Sequence, residues 1–175
     1  MVPATSLVDE KQKRTLTALA ITPASLGEIF LSKGLVGVII STFMGVLILV
    51  INRAFGTQPL LLVGMLALGA VMASTFGIML GAFIKDITSL FAINKAIGIL
   101  YYAPAFVYLF PGIPQWIGRI FPTYYIVQPV AEISQQGGTW SDIALEIFVL
   151  IGLILIMIGV VGVLARRTAQ REALA

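Results

Sequence analysis

Long stretches without charged residues constrain this chain more than any other feature. Residues 34–51 form an uncharged run of 18 residues, and residues 60–84 form one of 25 residues. Because an α-helix rises about 1.5 Å per residue, such runs reach across the ~30 Å hydrocarbon core of a bilayer. Residues 143–165 form a third run, broken only by Glu146, and residues 87–110 form a fourth. The sequence therefore predicts an all-α integral membrane protein with about four transmembrane helices.

The fourth run is the least regular, because it contains Asn94 and Lys95. Counted from Ala96, it reaches only about 23 Å as a helix, which is short for a full crossing. Two interpretations fit: the Lys95 side chain snorkels to the headgroups, or the helix borders a protein-lined cavity. Snorkelling is favoured, since Lys95 lies near one end of the run.

The composition agrees with a membrane protein and argues against an enzyme. Apolar residues make up 59% of the chain and charged residues 11%, whereas soluble domains carry roughly 25% charged residues. The chain has no cysteine and no histidine, which removes disulfides, thiolate metal sites and the usual general base. The phosphate-loop pattern G-x-x-x-x-G-K-[ST] does not occur. We therefore expect no catalytic, cofactor-binding or metal-binding residues, no cofactor and no nucleic-acid partner.

The distribution of basic residues predicts how the chain is oriented. With four spans, nine basic residues fall on one side of the membrane and two on the other. The nine are Lys11, Lys13, Arg14, Lys33, Lys85, Lys95, Arg166, Arg167 and Arg171, and the two are Arg53 and Arg119. The positive-inside rule then predicts a multi-pass protein of the plasma (inner) membrane with both termini in the cytoplasm.

The loop 111–142 is too apolar for a simple connector. Ile113, Trp116, Ile117 and Ile120 recur with the spacing of one helix face, and Pro122 ends that pattern. A similar face follows at Ile126, Val130 and Ile133, and Gln135-Gln136-Gly137-Gly138 predicts a turn. Neither piece is long enough to span. We therefore predict a short re-entrant or interfacial helical pair before the last span.

Small residues spaced by four predict helix-packing faces. One set is Gly69, Ala73, Gly77 and Gly81, and another is Gly37, Ser41 and Gly45. Small residues allow helix backbones to approach closely within lipid. We interpret both sets as packing faces and assign them no chemistry.

Residues 9–33 predict a cytoplasmic amphipathic N-terminal segment. Leu16 and Leu19 share one helix face, and the pair Thr22-Pro23 interrupts the pattern. A second helix then begins, capped either by Ser25 with Glu28 or by Thr22. From the residues alone, the favoured interpretation is an amphipathic interfacial helix that simply leads into the membrane.

The order of residues in this segment resembles a known family. An acidic and basic cluster precedes a Thr-Leu pair, a Thr-Pro turn, a Glu and a Lys. The residues concerned are Glu10, Thr15, Leu16, Thr22, Pro23, Glu28 and Lys33. This pattern resembles the segment that ABC type-2 transporter permeases carry between their second and third membrane helices, although Arg14 stands where glycine is more usual. Phe121-Pro122-Thr123-Tyr124-Tyr125 is similar to the proline-aromatic element before that family's last span.

The resemblance implies a membrane-spanning permease component of an ATP-driven ABC exporter, moving substrate by alternating access. It implies two protein partners, an ABC ATPase subunit and a second permease copy, in a homo- or heterodimer. It also implies that 1–175 is a single membrane domain lacking the family's first two helices, with residues 9–33 as the coupling segment. The implied docking residues for the ATPase are Arg14, Thr15, Leu16, Leu19, Pro23 and Glu28.

Tyr101, Tyr102 and Tyr108 are candidates for lining a substrate pathway, although aromatic residues in membrane helices also serve as packing or interface anchors. Two other functions remain open. A self-contained secondary carrier would fit the spans but usually places an ionisable residue at mid-membrane. A non-transporting membrane scaffold is the other alternative.

Overall fold

The computed structural model describes residues 2–13, 26–110, 112 and 114–172 of the 175. Within these ranges the regular structure is helical, and we number the α-helices in chain order. They are α1 (Val2–Gln12), α2 (Leu26–Ile51), α3 (Pro59–Phe83), α4 (Ile87–Leu109), α5 (Gln115–Gly118), α6 (Tyr124–Ala131) and α7 (Trp140–Glu172). A π-helical turn, Glu132–Gln136, continues α6.

Four of these helices are long and apolar enough to cross a membrane. The candidate spans are Gly27–Ile51, Pro59–Phe83, Ile87–Val107 and Trp140–Val163. This confirms the prediction of an all-α protein with four transmembrane helices. The first candidate span starts well before the uncharged run at residue 34. Its Lys33 can be accommodated because it forms an ion pair with Glu10.

Helix α3 is the centre of the bundle. Half of its apolar window is buried, against 11% for α2, 12% for α4 and 22% for α7. Its residues Leu62, Met65 and Met72 belong to a core that includes Ile143 and Leu150 of α7. The other long helices therefore leave broad apolar surfaces for lipid or for another protein, as expected where the bilayer is the solvent.

The small-residue faces do bring helices together. At Gly45 of α2, an added Cβ would lie 3.3 Å from the Leu66 side chain of α3. The hydroxyl of Ser74 in α3 donates a hydrogen bond of 2.7 Å to the carbonyl of Gly34 in α2. Close approach of this kind lets a buried hydroxyl stay paired within lipid.

Helix α4 begins at a cap that its sequence encodes. The Asp86 carboxylate accepts the backbone N–H of Ser89 at 2.7 Å. That hydrogen bond, with the one from the Ser89 side chain, lowers the pKa of Asp86. Further along α4, Lys95 is exposed on the outer surface of the bundle, as the snorkelling interpretation requires.

The chain alternates direction through α2, α3 and α4, so two ends of the bundle can be defined. We call the end with Lys11, Lys33 and Lys85 the basic end. The opposite end, which holds Arg53, Arg119 and the α5–α6 pair, is called the re-entrant end.

Candidate functional site

The two described flanks of the predicted ATPase-docking segment lie at the basic end. Five of its residues, Arg14, Thr15, Leu16, Leu19 and Pro23, fall outside the described residues. The sixth, Glu28, lies in the first turn of α2 with an exposed side chain. An acidic residue in that turn is favourable for the helix dipole. The flanks of the segment, which are the end of α1 and the start of α2, are described.

Helix α1 packs against the bundle through one small, apolar face. Ala4 and Val8 are buried in a cluster with Leu80 and Ile84 of α3 and with Leu90 of α4. At Gly81 of α3, an added Cβ would lie 3.1 Å from the Leu7 side chain. The glycines of α3 thus form the surface on which α1 lies.

Lys11 joins the last turn of α1 to the C-terminal end of α3. Its Nζ donates to the carbonyl oxygens of Gly81 at 2.6 Å and Ala82 at 2.7 Å, with that of Ile84 at 3.4 Å. These carbonyls lie at the negative end of the helix dipole, where a cation is stabilised. Burial, and then the neighbouring charge of Lys85, lower the pKa of Lys11.

A second contact joins α1 to α2. Lys33 Nζ lies 2.6 Å from Glu10 Oε1 and donates a 2.7 Å hydrogen bond to the Ser6 hydroxyl. The side chains of Lys33 and Glu10 are only 14% and 24% exposed, so water and salt screen this ion pair less than a surface pair. Both flanks of the segment 14–25 are thereby fastened to the membrane helices.

Sequence reasoning did not find α1 or its contacts. Its first residues show no clear apolar face, and its partners lie about 70 residues away in the chain. The glycines near the end of α3 indicate that another helix packs closely there, but they do not identify that helix.

The three candidate pathway tyrosines are not brought together. The ring of Tyr101 meets Phe76 of α3 edge to face, with centroids 5.7 Å apart, and its buried hydroxyl has no hydrogen-bond partner among the described residues. Tyr102 is 69% exposed on another face of α4. The side chain of Tyr108 lies outside the described part of the chain. Tyr101 is therefore the only one of the described tyrosines in this set that faces the interior.

The predicted helical pair re-enters the bundle. The Thr123 hydroxyl, in the turn between α5 and α6, donates to the carbonyl of Tyr101 at 3.2 Å. Tyr101 lies eight residues before the end of α4, which is about 12 Å along the helix axis. On the other side, Ile126 of α6 meets α3 at Gly69, where an added Cβ would lie 2.9 Å from the isoleucine. The turn thus reaches well below the outer ends of the long helices.

The two short helices differ from the prediction in their extent. Helix α5 has one turn only and ends at Gly118, so Ile120 of the predicted face lies beyond it, and Trp116 and Ile120 are 64% and 67% exposed. Ile113, where the predicted face begins, lies outside the described residues. Helix α6 and the π-helical turn do turn the second predicted face inward, since Ile133 is buried in the core shared with α3 and α7, and Ile126 and Val130 are partly buried against it. The predicted turn begins only after Gln136, because the π-helical turn extends that far and ends at Gly137, whose φ is +69°.

Charged groups also lie at the re-entrant end. The Asp142 carboxylate accepts the backbone N–H of Thr139 at 2.8 Å, and Glu132 accepts the Gln128 amide at 3.0 Å. Glu146, in the second turn of α7, has a buried Oε2 without a hydrogen-bond partner among the described residues. Hydrogen bonding to the Tyr124 side chain, the charge of that group and, more weakly, Glu146 raise the pKa of Arg119.

Nothing in this geometry resembles a metal centre. Among the described residues, no group of three or more Asp and Glu side chains is placed to hold a metal ion. The arrangement instead joins two accessory segments, α1 and the α5–α6 pair, to opposite ends of one central helix.

Comparison with known proteins identifies the family. The family described as "Fluoroquinolones export permease protein Rv2686c-like" matches residues 1–163. Comparison with curated proteins and with solved structures gave no match.

Proposed function

Because the chain belongs to this Rv2686c-like family of export permeases, as its resemblance to ABC type-2 permeases predicted, we propose that it is the membrane-spanning component of an ATP-driven ABC exporter. In this proposal a partner ATPase subunit hydrolyses ATP, and the chain itself carries out no catalysis. Closure of the ATPase moves the segment 14–25, and the membrane helices respond by alternating access. A second permease copy completes the pathway.

The observation that carries this proposal is that both flanks of the docking segment, residues 14–25, are held to the membrane helices by polar contacts. Just before it, Lys11 holds α1 to the end of α3 through carbonyl contacts. Just after it, Lys33 holds α2 to Glu10. A force on the segment would therefore be delivered to the central helix and to α2 together, because neither flank can move without disturbing partly buried polar contacts.

The proposed orientation places the basic end, with both termini, in the cytoplasm of the plasma (inner) membrane. The support is the excess of basic residues in the loops of that end. It is also the end at which an ATPase has access to its ATP. The name of the family leads us to propose that the exported substrate is a fluoroquinolone or a similar amphipathic molecule.

The test is a substitution in the docking segment. The chain is co-expressed with a candidate ATPase, and co-purification and ATP-driven drug uptake into inside-out vesicles are measured. Leu19→Asp should abolish both while leaving membrane insertion intact, because a charge on the apolar docking surface prevents burial against the ATPase. Lys13→Met serves as the control, since Lys13 is exposed and pairs with Asp9 of its own helix.

Two outcomes would contradict the proposal. Unchanged uptake by Leu19→Asp would show that the ATPase does not act through this segment. Uptake that needs no ATP but follows an ion gradient would instead identify a secondary carrier.

A further inference from the structure

Lys33 of α2 lies at the level where the headgroups of one leaflet begin. The uncharged run 34–51 starts at the next residue, and as a helix it reaches about 27 Å, close to the ~30 Å thickness of the hydrocarbon core. The α2 backbone at Lys33 therefore marks the edge of that core at the basic end. The phosphates of the adjoining leaflet lie beside this level, since the polar headgroup region begins where the hydrocarbon ends.

A cavity of about 210 Å³ lies between α1 and α2 at this level. Six residues of the two helices line it: Val2, Pro3, Ser6, Ser32, Lys33 and Val36. Val2, Ser32 and Val36 are exposed, so the cavity opens at the surface of the bundle. Its volume exceeds the space that one water needs but is smaller than the roughly 300–1,000 Å³ of sites for drug-sized molecules. The cavity therefore suits a headgroup better than a whole drug molecule.

The polar groups of the cavity favour an anion. Lys33 Nζ donates to the Ser6 hydroxyl at 2.7 Å and to Glu10 Oε1 at 2.6 Å. An ammonium group has three N–H donors, so one remains for a ligand beside these two described acceptors. The Ser6 hydroxyl accepts from Lys33 and still carries a proton that it can donate. Glu10 is not one of the six described lining residues, so the cavity meets the cation of this ion pair rather than its carboxylate.

Apolar side chains continue from the cavity along the outer surface of α2. Ile39, Ile40 and Phe43 follow Val36 with the spacing of one helix face, and all four side chains are exposed. Only 11% of the apolar window of α2 is buried. A molecule with its polar group in the cavity thus has an apolar surface beside it that extends into the hydrocarbon core.

We propose that the cavity between α1 and α2 binds the headgroup of an anionic phospholipid. The phosphate accepts hydrogen bonds from Lys33 Nζ and from the Ser6 hydroxyl, and the acyl chains lie on the exposed face that begins at Val36. A choline or ethanolamine cation would have no carboxylate to pair with among the described lining residues. The site therefore prefers a lipid whose headgroup carries only negative charge.

The test measures which lipid stays bound to the full chain. The protein is released from nanodiscs of equal parts phosphatidylglycerol and phosphatidylcholine, and native mass spectrometry gives the ratio of the two retained lipids. We expect the native chain to retain phosphatidylglycerol preferentially. Lys33→Met should lower the ratio by about tenfold, because a charged hydrogen-bond donor is lost. Lys85→Met removes an exposed lysine at the same end and should change the ratio far less, since salt screens an exposed charge.

Two further variants separate lipid binding from a loss of structure. Glu10→Gln removes the ion pair but keeps the Lys33 ammonium, so it should raise the preference for phosphatidylglycerol. Val36→Trp keeps the ion pair but fills the cavity, so it should lower the preference as Lys33→Met does. If the ion pair only held α1 in place, Lys33→Met and Glu10→Gln would lower the ratio equally, and the site would be refuted.

Two other results would overturn the proposal. Equal retention of the two lipids by the native chain would show that the cavity does not select an anionic headgroup. Loss of the preference when a fluoroquinolone is added in excess would instead assign the cavity to the carboxylate of that drug.

The outcome is independent of the proposed function, because lipid binding requires neither ATP nor export. A selective lipid site without ATP-driven uptake would refute the exporter and keep the site. ATP-driven uptake by a native chain that shows no lipid preference would refute the site and keep the exporter. Only the naming of the leaflet as the inner one rests on the proposed orientation.

Discussion

At the basic end, α1 is fastened to the bundle by ionic contacts, whereas at the re-entrant end α6 is fastened by apolar and backbone contacts on glycines. Lys11 donates to two carbonyls of the last turn of α3 and to that of Ile84 just after it, and Lys33 pairs with Glu10. At the other end, Ile126 lies on Gly69, and the carbonyl of Ile133 lies against Gly56. The first kind of contact is directional, as the proposed transmission of force from an ATPase requires. The second depends on shape and allows the turn to sit in an apolar environment.

The largest effect should come from the glycine contact in the α2–α3 loop. Gly56 has a φ of +57°, and an added Cβ would overlap the carbonyl oxygen of Ile133. We expect Gly56→Ala to lower the free energy of unfolding by about 3 kcal/mol, because strain in the left-handed region adds to the overlap. The measurement is an SDS titration of the purified protein followed by circular dichroism. Arg53→Gly in the same loop should act in the opposite direction, since Arg53 holds a φ of +52° without being glycine.

The next effect tests the ionic fastening of the basic end. Lys11→Met should lower the free energy of unfolding by about 2 kcal/mol, because carbonyls at the end of α3 lose a charged donor. Lys13→Met should change it by less than about 0.5 kcal/mol, since the Lys13–Asp9 pair is exposed. The same SDS titration measures both variants. Equal effects at the two lysines would show that the Lys11 contacts contribute nothing specific.

A smaller effect is expected where α6 rests on α3. Gly69→Ala should destabilise the protein by about 1 kcal/mol, because the Ile126 side chain has to move by a few tenths of an ångström or more. Gly64→Ala on the same helix has open space around its Cβ position. It should be neutral or stabilising, since alanine favours helix over glycine. Thermal unfolding in detergent compares the pair, and the reverse order would mean that α6 does not pack at Gly69.

The smallest expected effect is a change of mutational cost with salt concentration, which can be compared between the two ends of the bundle. Lys33→Met should lower the free energy of unfolding by about 1 kcal/mol at low ionic strength. Raising the salt concentration should change this loss little, because the Lys33–Glu10 ion pair is largely shielded from water. The loss at Gly69→Ala should not depend on salt at all. A Lys33→Met effect that disappears in high salt would place the Lys33–Glu10 pair among ordinary surface contacts and weaken its role in transmitting force.

The four long apolar helices were predictable, because hydropathy acts over many consecutive residues. The runs at 60–84 and 87–110 lie almost residue for residue on α3 and α4. The Asp86 cap is likewise local, since donor and acceptor are three residues apart. The docking candidates 14–23 remain a prediction from family resemblance, and Glu28 alone among the candidates is placed, exposed at the start of α2.

Features that depend on distant partners were not predictable in the same way. The face from Ile113 to Ile120 has helical spacing in the sequence, but α5 ends at Gly118 after one turn. Glu146 was visible only as an interruption of an apolar run. That one of its carboxylate oxygens is buried without a hydrogen-bond partner among the described residues depends on how α7 packs in the bundle.

The sequence by itself determined that this chain is a membrane protein, how many times it crosses the membrane and which end is basic. Each of these three properties depends on the composition of continuous segments. Only the tertiary structure decided that α1 lies on the glycines of α3, that Lys11 caps that helix and that the α5–α6 turn enters the bundle. These contacts join residues far apart in the chain, so they contribute to the stability of the protein only once the helices have packed.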